Sequence, residues 1–386
     1  YVRLASLNEV GGDPNKFGRP PVEVHHFLKE RAEKYPGSLN PLSTHDTKRS
    51  EDVRARINVL SEIPDAWVAR AARWMELNRP HKIDLGDGDL VPDPNEEYFL
   101  YQTLVGTWPV GGLTPDDRAA FVDRIRAYMV KALHEAKVHS SWINPHPEYD
   151  AAVAEFVARV LDPDRAGPFL RDFEPFQRSI SHVGMFNSLA QTLVRCTAPG
   201  VPDTYQGTEL WDFSLVDPDN RRPVDYDLRT RLLEELDRRA REDPLDLVQQ
   251  LVANKEDGRI KLYVVSRALR FRQAHAEMFA SGGYGAVDVV GRGAGHAFCF
   301  TRTSAAALAL ILVPRLIGSL VRMSDRPPID AEVWGETALL LPDEVSAVRW
   351  SNALTGETLG PFSARTLPVA RVLGNFPVGL LEGRRE

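Results

Sequence analysis

The sequence predicts an α/β chain with a helical block in its middle and an all-β domain at its C-terminal end. Three observations carry this. Two short apolar runs, 39–43 and 196–205, each close on a polar motif, as strands do when they deliver side chains to one end of a sheet. Between them, from Pro64 to about Asp162, apolar residues recur at helical spacing. Beyond residue 255 the chain turns to short β-type runs punctuated by Gly, Pro and Asp.

Taken in order, residues 4–7 read as a short strand, followed by the turn-rich loop Asn8-Glu9-Val10-Gly11-Gly12-Asp13-Pro14. A helix starts near Pro21, carries His25, His26 and Phe27, and breaks at Pro36-Gly37. Residues 39–43 form a strand that brings His45 and Asp46 to its end. After Ser50 a helix begins with Glu51 and Asp52 at its N-terminus and Arg54 and Arg56 behind, the arrangement that the helix dipole favours. In the helical block, Trp67, Ala71, Trp74 and Met75 share one face; Tyr98, Tyr101, Gln102 and Val105 a second; Phe121, Ile125, Tyr128, Met129 and Leu133 a third. A helix spans 176–194, and a charged one runs to about Arg241. The β-type runs are 286–290, 296–302, 306–313, 338–341 and 363–372. The expected divisions are 1–60, 61–175 (a helical insertion), 176–250, and 251–386 (the β domain).

A length of 386 residues allows two or three domains. Net charge is −7 and the pI near 5.9, which gives no electrostatic footprint for nucleic acid. Cys196 and Cys299 form neither a disulfide framework nor zinc-type spacing, so a reducing, cytoplasmic setting is expected. The longest apolar run, 305–313, stops at Pro314, far short of the roughly 18 residues that span a membrane.

A bare His-Asp pair most often marks the start of a helix, with Asp as the cap. Here His45-Asp46 sits in the longer string Ser43-Thr44-His45-Asp46-Thr47-Lys48-Arg49-Ser50-Glu51-Asp52-Val53-Arg54-Ala55-Arg56. Far downstream stands Gly200-Val201-Pro202-Asp203-Thr204-Tyr205-Gln206-Gly207-Thr208-Glu209. Together they resemble the last strand ends of an α-amylase-type (β/α)8 barrel, and the long string resembles the maltooligosyl trehalose synthases of that superfamily. Ser6-Leu7-Asn8-Glu9-Val10-Gly11-Gly12-Asp13-Pro14, Asn95-Glu96-Glu97-Tyr98-Phe99-Leu100-Tyr101-Gln102-Thr103-Leu104, Glu135-Ala136-Lys137-Val138-His139-Ser140-Ser141-Trp142, Gly207-Thr208-Glu209-Leu210-Trp211-Asp212 and Asp217-Pro218-Asp219-Asn220-Arg221-Arg222-Pro223 are similar to the same family.

The resemblance implies a partial (β/α)8 barrel made of its closing strands, with the helical insertion and β domain attached. It implies intramolecular transglucosylation, in which the reducing-end α-1,4 link of a maltooligosaccharide becomes an α,α-1,1 (trehalose) link. Asp46 is then the carboxylate that stabilises the transition state, and His45 contacts the same sugar. Lys48 holds the released glucose, although a solvated lysine there is an equal reading. Arg49 is carried among the sugar contacts, although an ion-pair network of Arg49, Asp52, Arg54 and Arg56 around the barrel rim is the stronger reading. Asn220 and Arg221 reach distal glucose units. Asp203, Tyr205, Gln206 and Glu209 are expected to be structural.

The nucleophile and the acid/base of this superfamily have no match here. Glu9 is the acidic residue near a strand end before Asp46, and its setting fits neither signature. The expectation is a fragment, inactive alone, whose partner is the missing N-terminal half of the barrel. No cofactor or metal is expected. The nearest rivals are an α-amylase-like hydrolase and a non-catalytic maltooligosaccharide-binding module. A metal-dependent phosphohydrolase using His25 or His26 with His45-Asp46 is more distant. Trp67 and Trp74 read as core, while Trp108, Trp142 and Trp211 remain open as sugar platforms.

Overall fold

The structure is a computed structural model; residues 4–9, 11–86, 88, 90–342, 348–360 and 365–384 are described. In chain order, helix α1 (Pro21–Lys34) precedes strand β1 (Leu39–Pro41), then α2 (Glu51–Val59) and α3 (Pro64–Asn78). The antiparallel pair β2 (Ile83–Asp84) and β3 (Leu90–Val91) leads to α4 (Pro94–Thr107), α5 (Pro115–Ala136), α6 (Pro147–Val160) and α7 (Pro163–Thr197). Strand β4 (Val201–Asp203) is followed by α8 (Tyr226–Glu242), α9 (Pro244–Ala253), α10 (Arg259–Ala274) and α11 (Ala276–Ser281). Then come β5 (Gly283–Val290), β6 (Ala297–Thr303), β7 (Leu308–Pro314), α12 (Ile317–Leu320), α13 (Asp330–Trp334) and β8 (Ala338–Leu340). The last elements are β9 (Arg349–Asn352), β10 (Thr358–Leu359), β11 (Thr366–Pro368), α14 (Val369–Val372) and β12 (Gly379–Arg384). Contacts divide the chain into two units: Tyr1–Asn15 with His45–Gly184 and Phe213–Arg222, and Lys16–Thr44 with Met185–Asp212 and Pro223–Glu386.

The first unit is helical. Helices α3 to α6 each start on a proline, whose missing N–H would have had no partner there anyway. Asp93 caps α4 in a reciprocal box with Glu96, and the Thr114 hydroxyl caps α5. The apolar faces read from spacing meet in an aromatic core. Trp74, fully buried, packs edge-on against Tyr101, Phe169 and Phe173 at 5.3–5.7 Å between centroids. Trp108 is 1% exposed and abuts Phe121 and Phe173, so it is core, as is Trp67. The strand expected over 4–7 is instead a 3-10 turn, Ala5–Leu7. No ladder forms because side chains take its backbone groups: Gln102 Oε1 accepts the Ala5 N–H at 2.7 Å, and Arg49 donates to the Ala5 carbonyl at 2.9 Å.

The second unit contains a parallel pair and a large sheet. β1 and β4 pair in parallel, Leu39 opposite Val201, Asn40 opposite Pro202 and Pro41 opposite Asp203. Both strands carry a proline, which removes a ladder donor and suits a short, peripheral pair. Among the described residues this pair is the parallel sheet; a longer set of barrel strands does not appear with it. The other sheet is eight-stranded and antiparallel, in the order β10-β9-β12-β7-β6-β5-β8-β11. Every residue of β7 is buried, and β12 extends the sheet from it with Leu380 opposite Ile311. Its apolar core includes Leu310, Leu312, Trp334, Trp350 and Leu381.

The β-rich part starts at Gly283, later than the expected 251, because 251–281 completes α9 and forms α10 and α11. Of the run expected over 363–372, positions 363 and 364 lie outside the described residues; the rest splits into β11 and α14. No helix among the described residues is long and apolar enough to cross a membrane.

Candidate functional site

Two loops of the first unit meet. Helix α2 begins at Glu51 with Ser50 as its N-cap, so Asp46 lies a turn upstream and is not the cap. Residues 45 and 46 form an exposed turn. The Asp46 side chain is 59% exposed, and Lys48 Nζ lies 3.8 Å from its Oδ1. The 213–222 loop comes beside this turn. Arg49 and Leu215 form an antiparallel bridge, Ser50 N–H donates to the Ser214 carbonyl at 3.0 Å, and Asn220 Nδ2 donates to the His45 carbonyl at 3.0 Å. His45, Asp46, Lys48 and Asn220 are thus brought together across 175 residues of sequence.

The second loop is held from α5. Arg124 Nε lies 2.9 Å from Asp219 Oδ1, and Lys131 Nζ donates to the Asp217 carbonyl at 2.7 Å. Asp219 Oδ2 accepts the Leu215 N–H at 2.8 Å, which curls the loop. Arg221 is exposed and pairs with Asp217 at 2.8 Å.

Arg49 does not stand with the exposed group, contrary to its expected place among the sugar contacts. It is 1% exposed, donates to the Ala5 and Asn8 carbonyls at 2.9 and 3.3 Å, and its guanidinium sits 5.1 Å from the Phe99 ring centroid. Arg56 is similarly buried: it donates to the carbonyls of Gly106 and Trp108 and to Ser181, with the Phe213 ring 3.5 Å from its guanidinium carbon. Burial pushes the Arg56 pKa down to about 9, against the opposing charge of Asp52. These arginines satisfy backbone oxygens, where a planar fork outperforms an ammonium. Sequence alone does not reveal that burial.

Glu9 is the residue whose part in the site the motif reading missed. Its two carboxylate oxygens accept the Lys48 backbone N–H at 2.9 and 3.1 Å. The acidic loop Asn8-Glu9 was the available signal, but nothing in it names the partner.

The Gly-Val-Pro motif, in the second unit, is held by contacts within that unit. Gly200 has φ +115°, and a Cβ there would lie 2.6 Å from the Ser38 carbonyl oxygen. Glu209 pairs with Arg229 at 2.9 Å and accepts the Gly207 N–H, and Arg195 donates to the Asp203 carbonyl at 2.7 Å. Trp211 donates its indole N–H to the Lys255 carbonyl. His25, offered as a metal ligand, bonds the Tyr284 hydroxyl at 2.6 Å and stacks on Phe298, a packed role.

Elsewhere in the first unit, a cavity of about 740 Å³ is lined by Arg79, Lys82, Glu97, His139 and Tyr149, among others. Burial raises the carboxyl pKa of both Glu96 and Glu97, although Tyr149 and Tyr101 donate to them and Lys82 Nζ lies 2.6 Å from Glu97. Among the described residues, Asp93, Glu96 and His139 form the group whose ligand atoms all lie within 4.8 Å. Asp93 and Glu96 are already used in the α4 capping box, and His139 bonds Asp93 at 2.9 Å.

Comparison with known proteins adds three relatives, while no family model matches the chain. A Mycobacterium tuberculosis protein named "Putative maltooligosyl trehalose synthase" is 38% identical over 380 residues, covering 98% of this chain and 42% of that protein. The maltooligosyltrehalose synthase structure from Arthrobacter ramosus superposes with a TM-score of 0.79 at 34% identity, over all of this chain and 43% of that one. A further maltooligosyl trehalose synthase crystal structure gives 0.73 at 30% identity, over 45% of its length. The chain spans less than half the length of the proteins it matches.

Proposed function

We propose, from the premise that this chain belongs to the maltooligosyl trehalose synthases over less than half of their length, that it supplies the sugar-gripping part of an intramolecular glucosyl transferase. The reaction turns the reducing-end α-1,4 link of a maltooligosaccharide into an α,α-1,1 link. Retention needs a nucleophilic carboxylate and an acid/base carboxyl roughly 5–5.5 Å apart. In this reading both belong to the part of the polypeptide that the relatives have and this chain does not span.

Asp46 is the third carboxylate. As the link to the reducing-end glucose breaks, the nucleophilic carboxylate bonds to the anomeric carbon of the adjoining glucosyl residue, and positive charge grows on that carbon and on the ring oxygen of the same residue. Charge-assisted bonds from Asp46 and His45 to the ring hydroxyls strengthen at that moment. The departing glucose takes a proton from the acid, stays bound, turns, and attacks the glucosyl–enzyme bond through its anomeric oxygen, returning the proton. Lys48 holds that glucose, and water must be kept out while it turns. Asn220 and Arg221 face further glucose units; Arg49 is reassigned to supporting the turn from below.

The observation that supports this best is the meeting of the two loops, which sets Asp46 and Lys48 outward on a turn tied to Asn220. The parallel pair β1–β4 is read as two adjoining strands of a (β/α)8 barrel completed by the missing N-terminal half. Leu39 and Val201 on it are 61% and 42% exposed, the apolar flanks that neighbouring strands would cover. A cytoplasmic setting belongs to the same proposal.

The test gives maltopentaose to the complete enzyme carrying this span and follows the anomeric protons by NMR. A trehalose-ended product is expected. Release of glucose alone would favour a hydrolase, and binding without turnover a carbohydrate-binding module; either result overturns the proposal.

A further inference from the structure

We infer that Glu9 is a positioning residue for the Asp46–Lys48 turn and, through it, sets the balance between transfer and hydrolysis; this rests on the reading of Asp46 and Lys48 just given. Both Glu9 carboxylate oxygens converge on one donor, the Lys48 N–H, at 2.9 and 3.1 Å. In the opposite direction, the buried Arg49 guanidinium donates to the Ala5 and Asn8 carbonyls. An acid from one loop and a base from the other therefore lock together segments 39 to 44 residues apart.

Glu9 is tied into its own turn. Glu9 N–H donates to the Leu7 carbonyl at 3.1 Å, and Gly12 N–H returns to the Glu9 carbonyl at 2.9 Å. A Cβ at Gly12 would stand 2.9 Å from Leu7 O and 3.0 Å from Glu9 O, so the turn closes only on glycine. Gln102, fully buried on α4, anchors the loop start through Ala5 N–H. Glu9 thus transmits the position of a packed helix to the backbone of Lys48. Lysine has a long, flexible stem, so the place of its ammonium depends on where its backbone is held. A displacement of about 1 Å at such a group costs on the order of a hundredfold in rate.

The experiment compares Glu9→Gln, Glu9→Asp and Asp46→Asn in the complete enzyme, with maltopentaose as substrate and thermal melts alongside. Glu9→Gln replaces a charge-assisted bond by a neutral one. It is expected to lower kcat roughly tenfold, to leave KM within about twofold, and to raise the ratio of free glucose to trehalose-ended product. Glu9→Asp, whose carboxylate falls short of the Lys48 N–H, is expected to move the ratio the same way. An unchanged product ratio in both, or a rise in KM alone, would overturn the positioning role. If Asp46→Asn keeps full activity, the functional reading itself fails, and the inference fails with it; loss in Asp46→Asn with no effect at Glu9 removes only the inference. A Glu9→Gln protein that does not fold would show Glu9 to be structural and likewise sink it.

Discussion

Removing the Lys48 side chain should produce two effects of very different size. Its ammonium is 3.8 Å from Asp46, with the two side chains 44% and 59% exposed. A pair at that separation is worth about 1 kcal/mol in bulk water, and exposed pairs generally measure at about 0–1 kcal/mol. Lys48→Ala should therefore cost at most about 1 kcal/mol of stability, a fall of roughly 2–4 °C in Tm for a large domain. The backbone N–H that Glu9 holds is untouched by the substitution, so the turn keeps its place. If Lys48 makes one charge-assisted bond to the retained glucose, about 1.5–3 kcal/mol is lost from that bound state. The ratio of hydrolysis to transfer then rises roughly ten- to a hundredfold. Chromatographic separation of glucose from trehalose-ended saccharide, with a melt on the same sample, reads both quantities. A small Tm change with an unaltered product ratio would refute the role given to Lys48 and leave it a solvated lysine.

Two other expectations follow from single sites. Gly200→Ala combines a positive φ with a Cβ 2.6 Å from the carbonyl oxygen of Ser38, the residue just before β1, so it should destabilise by about 3 kcal/mol and loosen the β1–β4 pair; a melt within about 1 °C of the parent would contradict this. Asp172 gives a pH signature: partial burial pushes its carboxyl up, but hydrogen bonds from Arg70 and Trp74 and the nearby Arg73 outweigh that and hold it below the ordinary value of 3.8. A depressed carboxyl contributes stability above its unfolded pKa and loses it as pH falls through the folded one. The Tm gap between the parent and Asp172→Asn should be constant from about pH 7 to 5 and narrow as pH falls below about 4 and through the folded pKa; a gap that does not narrow on acidification would show the carboxylate charge is not the source.

The sequence made much of the first unit legible because its helices announce themselves twice, through prolines at their starts and aromatic residues at helical spacing. Trp67 and Trp74 were readable as core for that reason. The His45-Asp46 turn and Asn220 were readable because both sit in long strings with specific composition. Residues 4–7 were not: a four-residue apolar run carries too little periodicity to separate a strand from a 3-10 turn, and the partners that decide it, Gln102 and Arg49, are distant. Helices α10 and α11 were hidden behind the onset of β-type composition. Arg49 was open between a sugar contact and a rim ion pair because sequence shows charge and not burial. Glu9 was visible as an acid in a loop, yet its partner is a backbone N–H, which every residue has and no side chain advertises.

The most direct measurement adds maltopentaose to three samples: this chain alone, the portion alone that the relatives have and this chain does not span, and the two joined as one enzyme, the last also as Asp46→Asn. Anomeric NMR signals report the α,α-1,1 link. No product is expected from either part alone, product from the complete enzyme, and a loss of at least roughly a hundredfold with Asp46→Asn. Trehalose-ended saccharide formed by this chain alone, or by the complete enzyme at an undiminished rate with Asp46→Asn, would contradict the assignment of Asp46 as one of three carboxylates shared between the two portions.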